Sequence, residues 1–350
     1  MAAPTPYPRT LLDFQRAFPD DAACARYLVE RRWPNGFACP RCGSSDVTLI
    51  ATRGLWQCRP RHHQTSITAG TVLHRTKLPL TTWFWAAYLV ATLTPGISAV
   101  QLRAQLGIKR YETAWMLLHK LRRAMVNPNR QPLTGEVEVD ETWVGGRQAG
   151  FKRGRSTQDR NALLVAIAVE RREKSLGRLR MEVIPDAAGA TLSAFVLRTI
   201  APGSMIHSDA WPGYASLTAR GYKHLPKSQR ALKKAGLDAN VVPGVHRVIS
   251  NLKSWLQGTH HGVGADHLDN YLDEYVFRFN RRFYKMAGFE TLLGLSASQA
   301  PTAWEDLRGP LPDDQSPRRR GKATGLTRLP PRARPAVALA HPGGSSVVRT

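Results

Sequence analysis

The spacing of apolar side chains changes near residue 135. Between residues 81 and 127 the chain is predicted to form helices, because apolar residues recur every three to four positions. The clearest series is Tyr111, Trp115, Leu118, Leu121 and Met125. After residue 135 the apolar residues form short runs that are typical of strands. These runs occupy residues 137–139, 162–169 and 179–184.

The order of the predicted elements indicates an α/β fold. The three strands are followed by a helix at 188–200, a strand at 205–208, a helix at 211–220 and a weak strand near 222–224. Helices at about 245–257 and 266–285 complete the pattern. This is the element order of an RNase H-like mixed sheet with flanking helices. Before the sheet, residues 98–106 and 109–125 form two predicted helices that resemble a helix-turn-helix.

Two isolated aspartates stand where predicted strands end. Asp140 and Asp209 each follow an apolar run, and glycine or proline comes soon after. If the two strands are neighbours, these carboxylates supply the hard oxygen ligands that a pair of magnesium ions requires. We expect Glu138 and Glu141 to be surface neighbours of Asp140.

The charge balance predicts a polyanionic partner. The 350 residues include 50 lysines and arginines and 26 acids, so the formal net charge is +24. An excess of this size is typical of proteins that contact phosphate, and it predicts salt-sensitive binding to DNA or RNA.

The longest apolar stretch, residues 83–93, is shorter than the ~20 residues that span a bilayer. Since prolines at positions 4, 6 and 8 also interrupt any secretory leader, we expect a cytoplasmic protein without membrane contact.

Six short motifs occur in an order that resembles one protein family. They are Cys39-Pro40-Arg41-Cys42, residues 67–72 (ITAGTV), 137–142 (VEVDET), 207–209 (HSD), 258–261 (GTHH) and 274–282 (EYVFRFNRR). Together they resemble bacterial insertion-sequence transposases that have an N-terminal zinc ribbon and a DDE-type catalytic domain. The resemblance covers residues 11–305. It implies an RNase H-like fold in which Asp140 and Asp209 bind Mg²⁺ or Mn²⁺, with Asp140 bridging the two ions.

The third catalytic ligand is open to two assignments. Residues 243–255 contain no acid, whereas many members of the family have a glutamate on this helix. The branch that the segment most resembles has asparagine and lysine, which implies Asn251 as a metal ligand and Lys253 as a phosphate contact. His246 is the alternative, although imidazole prefers softer metals than magnesium.

The cysteines indicate a zinc ribbon that lacks one ligand. Cys39, Cys42 and Cys58 have the spacing of a metal site in a reducing compartment. The family pattern requires a second Cys-x-x-Cys motif, but position 61 is arginine. His62 or His63 is a candidate fourth zinc ligand, and the alternative is a degenerate ribbon that does not hold zinc.

The helix-turn-helix-like segment is the predicted DNA-binding element. Its basic residues are Arg103, Lys109, Arg110, Lys120, Arg122 and Arg123. The alternative is that these charges only cover the surface of a helical linker.

The expected domains are an N-terminal helix and ribbon (1–75), the helical segment (76–130), the catalytic domain (131–305) and a disordered basic tail (306–350).

The resemblance implies a DNA transposase that cuts at the ends of an insertion sequence and joins them to target DNA. Its partners would be double-stranded DNA, as terminal inverted repeats and as target, and further copies of the chain in an oligomer. Two other functions are compatible with the motifs. One is a nuclease of the same fold, and the other is an inactive or domesticated DNA-binding relic.

Overall fold

The N-terminal part consists of two helices and a small antiparallel sheet. The structure, a computed structural model, describes residues 8–145, 162–302 and 305–308. The helices are α1 (Leu11–Ala17) and α2 (Asp21–Arg32), and Thr10 begins α1 with a capping box that includes Asp13. Strands β1 (Val47–Ile50), β2 (Leu55–Cys58) and β3 (Gln64–Ser66) form the sheet.

Three helices follow the small sheet. They are α3 (Leu80–Thr92), α4 (Ala99–Gln105) and α5 (Tyr111–Ala124). Ser98 begins α4 with a capping box closed by Gln101. Five residues then separate α4 from α5, whereas the predicted helices at 98–106 and 109–125 left two.

A five-stranded mixed sheet organises the second half of the chain. Its strands are β4 (Glu136–Gly145), β5 (Ala162–Arg171), β6 (Leu176–Ile184), β7 (Met205–Asp209) and β8 (Lys223–Lys227). They lie in the order β6-β5-β4-β7-β8. The first three strands are antiparallel, and β7 and β8 run parallel to β4. The expected RNase H-like mixed sheet is confirmed.

Among the described residues, six α-helices accompany this sheet in the second half of the chain, and some of them cover its two faces. They are α6 (Gly189–Thr199), α7 (Gln229–Lys234), α8 (Pro243–His260), α9 (Leu268–Asn280), α10 (Lys285–Ser298) and α11 (Glu305–Arg308). On one face, Val137 and Val139 pack with Phe195 of α6 and with Tyr214. On the other, Val165, Ile167 and Val169 pack with α8 and α9. Burial on both faces explains why β5 is apolar at nearly every position.

The helix α10 was not expected from the sequence, and it packs with the N-terminal helices. Phe289 and Leu292 lie in the same core as Phe14, Phe18 and Phe84. A buried ion pair between Arg122 of α5 and Glu274 of α9, at 2.8 Å, also joins the first helices to the last ones. The proposed domain limits at residues 75 and 130 are a prediction, and this core includes residues from both sides of them.

Two expectations about local structure are corrected. Asp140 lies within β4 rather than at its end, because Glu141 to Gly145 continue to pair with β5. Residues Pro212–Arg220 form a 3₁₀ helix instead of an α-helix.

Within the described part of the chain, no helix combines the length and the hydrophobicity needed to cross a bilayer. The proposed disordered tail lies outside the described residues, apart from 306–308.

Candidate active site

Asp140 and Asp209 lie on neighbouring parallel strands at the same level of the sheet. The register between β4 and β7 pairs Glu138 with His207, and two residues further along each strand are Asp140 and Asp209. Asp209 is the last residue of β7, and its Oδ1 accepts a hydrogen bond from the Trp211 N–H at 3.1 Å. The structure thus brings together the two carboxylates that the sequence singled out.

Helix α8 crosses this part of β4 and presents two polar side chains to it. His246 Nε2 lies 3.3 Å from Asp140 Oδ2. Lys253 Nζ donates to Thr142 Oγ1 at 3.0 Å. Because His246 and Lys253 are seven residues apart, they share one side of the helix. Asp140 and Thr142, two residues apart, likewise share one face of the strand.

Asn251, the preferred third ligand, lies on a different side of α8. Five residues separate it from His246, which is a rotation of about 140° around the helix. It lines a pocket with Thr94, Trp255 and Tyr275. The structure therefore places His246, and not Asn251, against Asp140. The seven-residue spacing between His246 and Lys253 was the sequence signal that could have found this arrangement.

Glu138 holds the beginning of α8 against the sheet. Its Oε2 accepts the Val245 N–H at 2.9 Å, and Arg171 Nε lies 3.4 Å from its Oε1. A Cβ atom at Gly244 would come within 2.7 Å of Leu176 Cδ2 and 2.9 Å of Glu138 Oε2, so a larger residue would force these side chains to move. Glu138 is only 1% exposed, which corrects the expectation of a surface residue. A carboxylate at a helix N-terminus is favoured by the helix dipole, and here it positions the turn that carries His246.

Asp140 is held in surroundings that oppose its negative charge. Burial, the first cause, and the nearby carboxylates of Glu141 and Asp209 raise the pKa of Asp140 to about 6. The Glu141 N–H and His246 act in the opposite direction. Tyr214 donates to Glu141 Oε2 at 2.8 Å, so Glu141 is engaged on the other face of β4. Crowded carboxylates of this kind are stabilised by a bound cation.

The orientation of the His246 ring suits a metal ligand. Its Nδ1 lies 2.7 Å from Asn240 Oδ1, and the tautomer that donates Nδ1–H to this oxygen leaves a lone pair on Nε2. That lone pair faces the Asp140 carboxylate. Two acceptors opposite each other repel unless a proton or a cation lies between them. A hydrogen bond from the second ring nitrogen is the arrangement that fixes metal-binding histidines in proteins.

The ribbon brings three thiols together. The sulfur atoms of Cys39, Cys42 and Cys58 lie within 4.8 Å of one another. In the part of the chain that the structure describes, no other set of three or more histidine, cysteine or acidic side chains is clustered so tightly. Neither His62 nor His63 joins the thiols, and the ligand atoms of Asp140, Asp209 and His246 are more widely spread.

The two turns of the ribbon have the same backbone form. After Cys39, Gly43 has φ +71° and the Cys39 N–H donates to Ser44 O at 2.9 Å. After Cys58, His62 has φ +50° and the Cys58 N–H donates to His63 O at 2.9 Å. Counting from each first cysteine, Arg61 occupies the position that Cys42 has in the first turn. The second turn therefore keeps the fold of a zinc knuckle and lacks its second thiol.

The helix-turn-helix-like segment exposes part of its basic residues. Arg103, Lys109, Arg110 and Arg123 are exposed, and Lys120 is half-buried. Arg122 is 1% exposed and stacks over the Tyr271 ring at 4.0 Å in addition to its ion pair with Glu274. Its predicted role as a DNA contact is wrong, because a buried and neutralised guanidinium cannot reach phosphate.

Comparison with known protein families agrees with this architecture. Residues 132–280, from just before β4 to the end of α9, match the ISXO2-like transposase domain. Residues 19–64 match the transposase zinc-ribbon domain. The chain carries both domains of an IS1595-type transposase. Its DDE-type domain is the part that contains Asp140, Asp209, His246 and Lys253.

A curated relative supports the same assignment. The transposase chain is 26% identical over 300 residues to an uncharacterized protein in transposable element ISH50 of Halobacterium salinarum. The match covers 79% of this chain and 96% of the relative. A match of this length is longer than either of the two matched domains.

Proposed function

We propose that this chain is a DNA transposase that cleaves DNA at the ends of an insertion sequence and joins the freed 3′-hydroxyl to target DNA. The observation that carries the proposal is the position of the His246 side chain against Asp140. The strand of Asp140, β4, is the neighbour of β7, which carries Asp209. This arrangement offers two carboxylates and one imidazole in a domain of transposase type. Double-stranded DNA is the proposed substrate, and an oligomer on paired ends is the proposed active form.

The donor set fits divalent metal ions. Mg²⁺ or Mn²⁺, when bound, would activate the attacking oxygen and stabilise the leaving oxygen at a phosphodiester. Asp140 and Asp209 supply negative charge, and His246 supplies a neutral nitrogen donor in place of a third carboxylate. Because imidazole suits manganese better than magnesium, His246 favours Mn²⁺ as the more effective ion. Asn251 remains a predicted ligand that this geometry does not favour.

Lys253 has the position of a phosphate contact. Partial burial lowers the pKa of its ammonium group. A hydrogen bond from this group to Thr142 Oγ1 holds it next to β4. It also lines a pocket of about 370 Å³ with Trp143, Leu163 and Val263. A cation at this point can hold a DNA phosphate next to the carboxylates. The exposed arginines and lysines of α4 and α5 are the proposed recognition surface for the element ends.

Zinc is proposed for the ribbon as a structural ion. Cys39, Cys42 and Cys58 supply three thiolates, whereas a closed zinc site requires four ligands. His62 and His63 remain candidates for the fourth position, although neither joins the thiols.

The proposed function is tested with DNA that carries the terminal inverted repeats of the element. The wild-type protein should give cleaved and joined products with Mn²⁺ or Mg²⁺, and Asp209→Ala should give neither. Asp266→Ala removes an exposed aspartate elsewhere and is the matched control, which should retain activity. Cleavage without joined product would indicate a nuclease. DNA binding without cleavage in either metal would indicate a relic and would overturn the proposal.

A further inference from the structure

A pocket at the outer edge of the large sheet is lined by four arginines. Arg130 lies in the segment after α5, Arg178 and Arg180 lie on β6, and Arg281 follows the end of α9. The pocket has a volume of about 440 Å³. None of these arginines belongs to the helix-turn-helix-like segment or to the candidate active site.

Among the described residues, only Arg178 of these four arginines forms an ion pair. Arg178 donates to Glu170 Oε1 from Nη2 at 2.6 Å and from Nε at 3.0 Å. Arg180 is 6% exposed, and among the described residues it donates only to the carbonyl oxygens of Leu179 and Gln131. Burial, the first cause, and the positive charges of Arg130, Arg178 and Arg281 lower the pKa of Arg180 to about 10, and Glu170 acts in the opposite direction. Like charges therefore lie around Arg180, whose own hydrogen bonds in the described residues go to neutral carbonyl oxygens.

The other two arginines add to the positive excess. Arg281 stacks over the Phe277 ring at 4.0 Å and donates to the Phe277 carbonyl at 3.4 Å. Arg130 is exposed, and no ion pair of its side chain occurs within the described residues. Stacking leaves the guanidinium edge of Arg281 available to a further acceptor.

One carboxyl group, that of Asp273, lines the same pocket. Burial, the first cause, and the charge of Asp269 raise the pKa of Asp273 to about 7, and Arg130 and Arg123 act in the opposite direction. Near neutral pH this carboxyl is only partly charged, so it offsets little of the arginine charge. The amide of Asn280 is already engaged, since it accepts the Leu179 N–H at 2.7 Å and donates to the Leu179 carbonyl at 3.2 Å.

We propose that this arginine pocket binds a phosphodiester group of the DNA backbone, as a second contact outside the helix-turn-helix-like segment. Guanidinium groups match the tetrahedral oxygens of phosphate in bidentate geometry, and a buried one whose charge is not balanced gains most from such an anion. Ala168 of β5 pairs with both Arg180 and Val139. Arg180 is thus two strand spacings, roughly 10 Å, from the strand of Asp140, and it shares with Val139 the face of the sheet opposite to Asp140.

The proposal rests on DNA as the substrate, and it is tested by DNA binding alone. The affinity of the full chain for a random 30-base-pair duplex is measured against salt concentration at pH 8 in EDTA. Arg130→Gln and Arg281→Gln should each weaken binding about threefold to tenfold and reduce the salt slope by about one. Asp273→Asn should have the opposite sign and strengthen binding, because it removes the negative charge from the pocket.

Two substitutions serve as matched controls for charge. Arg16→Gln and Asp266→Asn make the same changes of formal charge at exposed sites elsewhere. If the pocket variants differ from wild type no more than these controls do, the pocket proposal is overturned, whether or not the protein cleaves DNA. If the pocket variants weaken DNA binding but the wild type shows no metal-dependent cleavage, the pocket proposal is supported and the proposed transposase function is overturned. Absence of DNA binding by the wild type would overturn both.

Discussion

The ribbon lacks one thiol of the family pattern and the proposed catalytic site lacks a third carboxylate, and the two regions differ in the residue that stands in that place. In the ribbon, Arg61 stands where the second knuckle requires a thiol. In the sheet, His246 faces Asp140 where many transposases present a glutamate. Guanidinium has five donors and no acceptor, so it cannot bind a metal, whereas neutral imidazole offers a lone pair.

The two regions therefore differ in what is retained when a ligand is missing. The ribbon keeps its turn, with His62 at φ +50°, because the backbone hydrogen bond from Cys58 to His63 does not depend on the missing sulfur. The catalytic site keeps its donor because α8 is fixed by Glu138 at its beginning. A fold can persist after a ligand is lost, whereas the proposed metal chemistry requires that the substitute is itself a donor.

The strongest test of this contrast compares two positions on α8. His246→Ala should reduce metal-dependent DNA cleavage by about a hundredfold or more and weaken Mn²⁺ binding, because a ligand beside Asp140 is lost. Asn251→Ala, on another side of the same helix, should change cleavage by less than about threefold. Cleavage rates and Mn²⁺ titration calorimetry give the two readouts. The reverse ranking would restore Asn251 as the ligand and exclude His246.

The electrostatic cost of the catalytic site should appear in the stability of the metal-free protein. The pKa of Asp140 is about 6 in the folded chain and near 3.8 when unfolded, so its ionised form is disfavoured by folding. The contribution of Asp140 to stability should fall as pH rises from about 4 to 6, and its whole penalty is present well above pH 6. Asp140→Asn removes the charge and should stabilise the chain at pH 8 by up to about 3 kcal/mol.

Chemical unfolding in EDTA at pH 8 and pH 4 measures this difference. At pH 4 the carboxyl is neutral in the folded state, so the two proteins should be nearly equal in stability. Asp266→Asn, at an exposed position, should show no such pH-dependent gain. Equal stabilities of wild type and Asp140→Asn at pH 8 would contradict the proposed crowding of carboxylates.

The mildest test asks whether the ribbon can be repaired. Arg61→Cys places a fourth thiol at the second knuckle and should tighten zinc binding about tenfold or more, with thiolate-rich absorbance in a Co²⁺ substitution. Arg61→Ala is the control, since it removes the cation without adding a ligand. Competition with a chromophoric chelator reports the affinity. If wild type binds zinc as tightly as Arg61→Cys, a histidine already completes the site.

Several features were readable from residues alone because they depend on local pattern. Alternating and helical apolar spacing predicted the succession of strands along the chain and most helices, and the contexts of Asp140 and Asp209 singled out both carboxylates. The cysteine spacing predicted the thiol cluster. These signals are short in range, since strand periodicity and cysteine spacing depend on residues close in sequence.

Other features were settled by packing between distant segments. Arg122 has the same local charge pattern as Arg123, yet Glu274, 152 residues away, draws it into the core. Glu138 became a buried cap because α8 begins against β4. The choice of His246 over Asn251 depends on which side of α8 meets the sheet, and that side is decided by Val245, Val248 and Leu252 packing into the shared core. Residue type and spacing thus named the chemical groups, while burial and long-range contacts decided which of them meet.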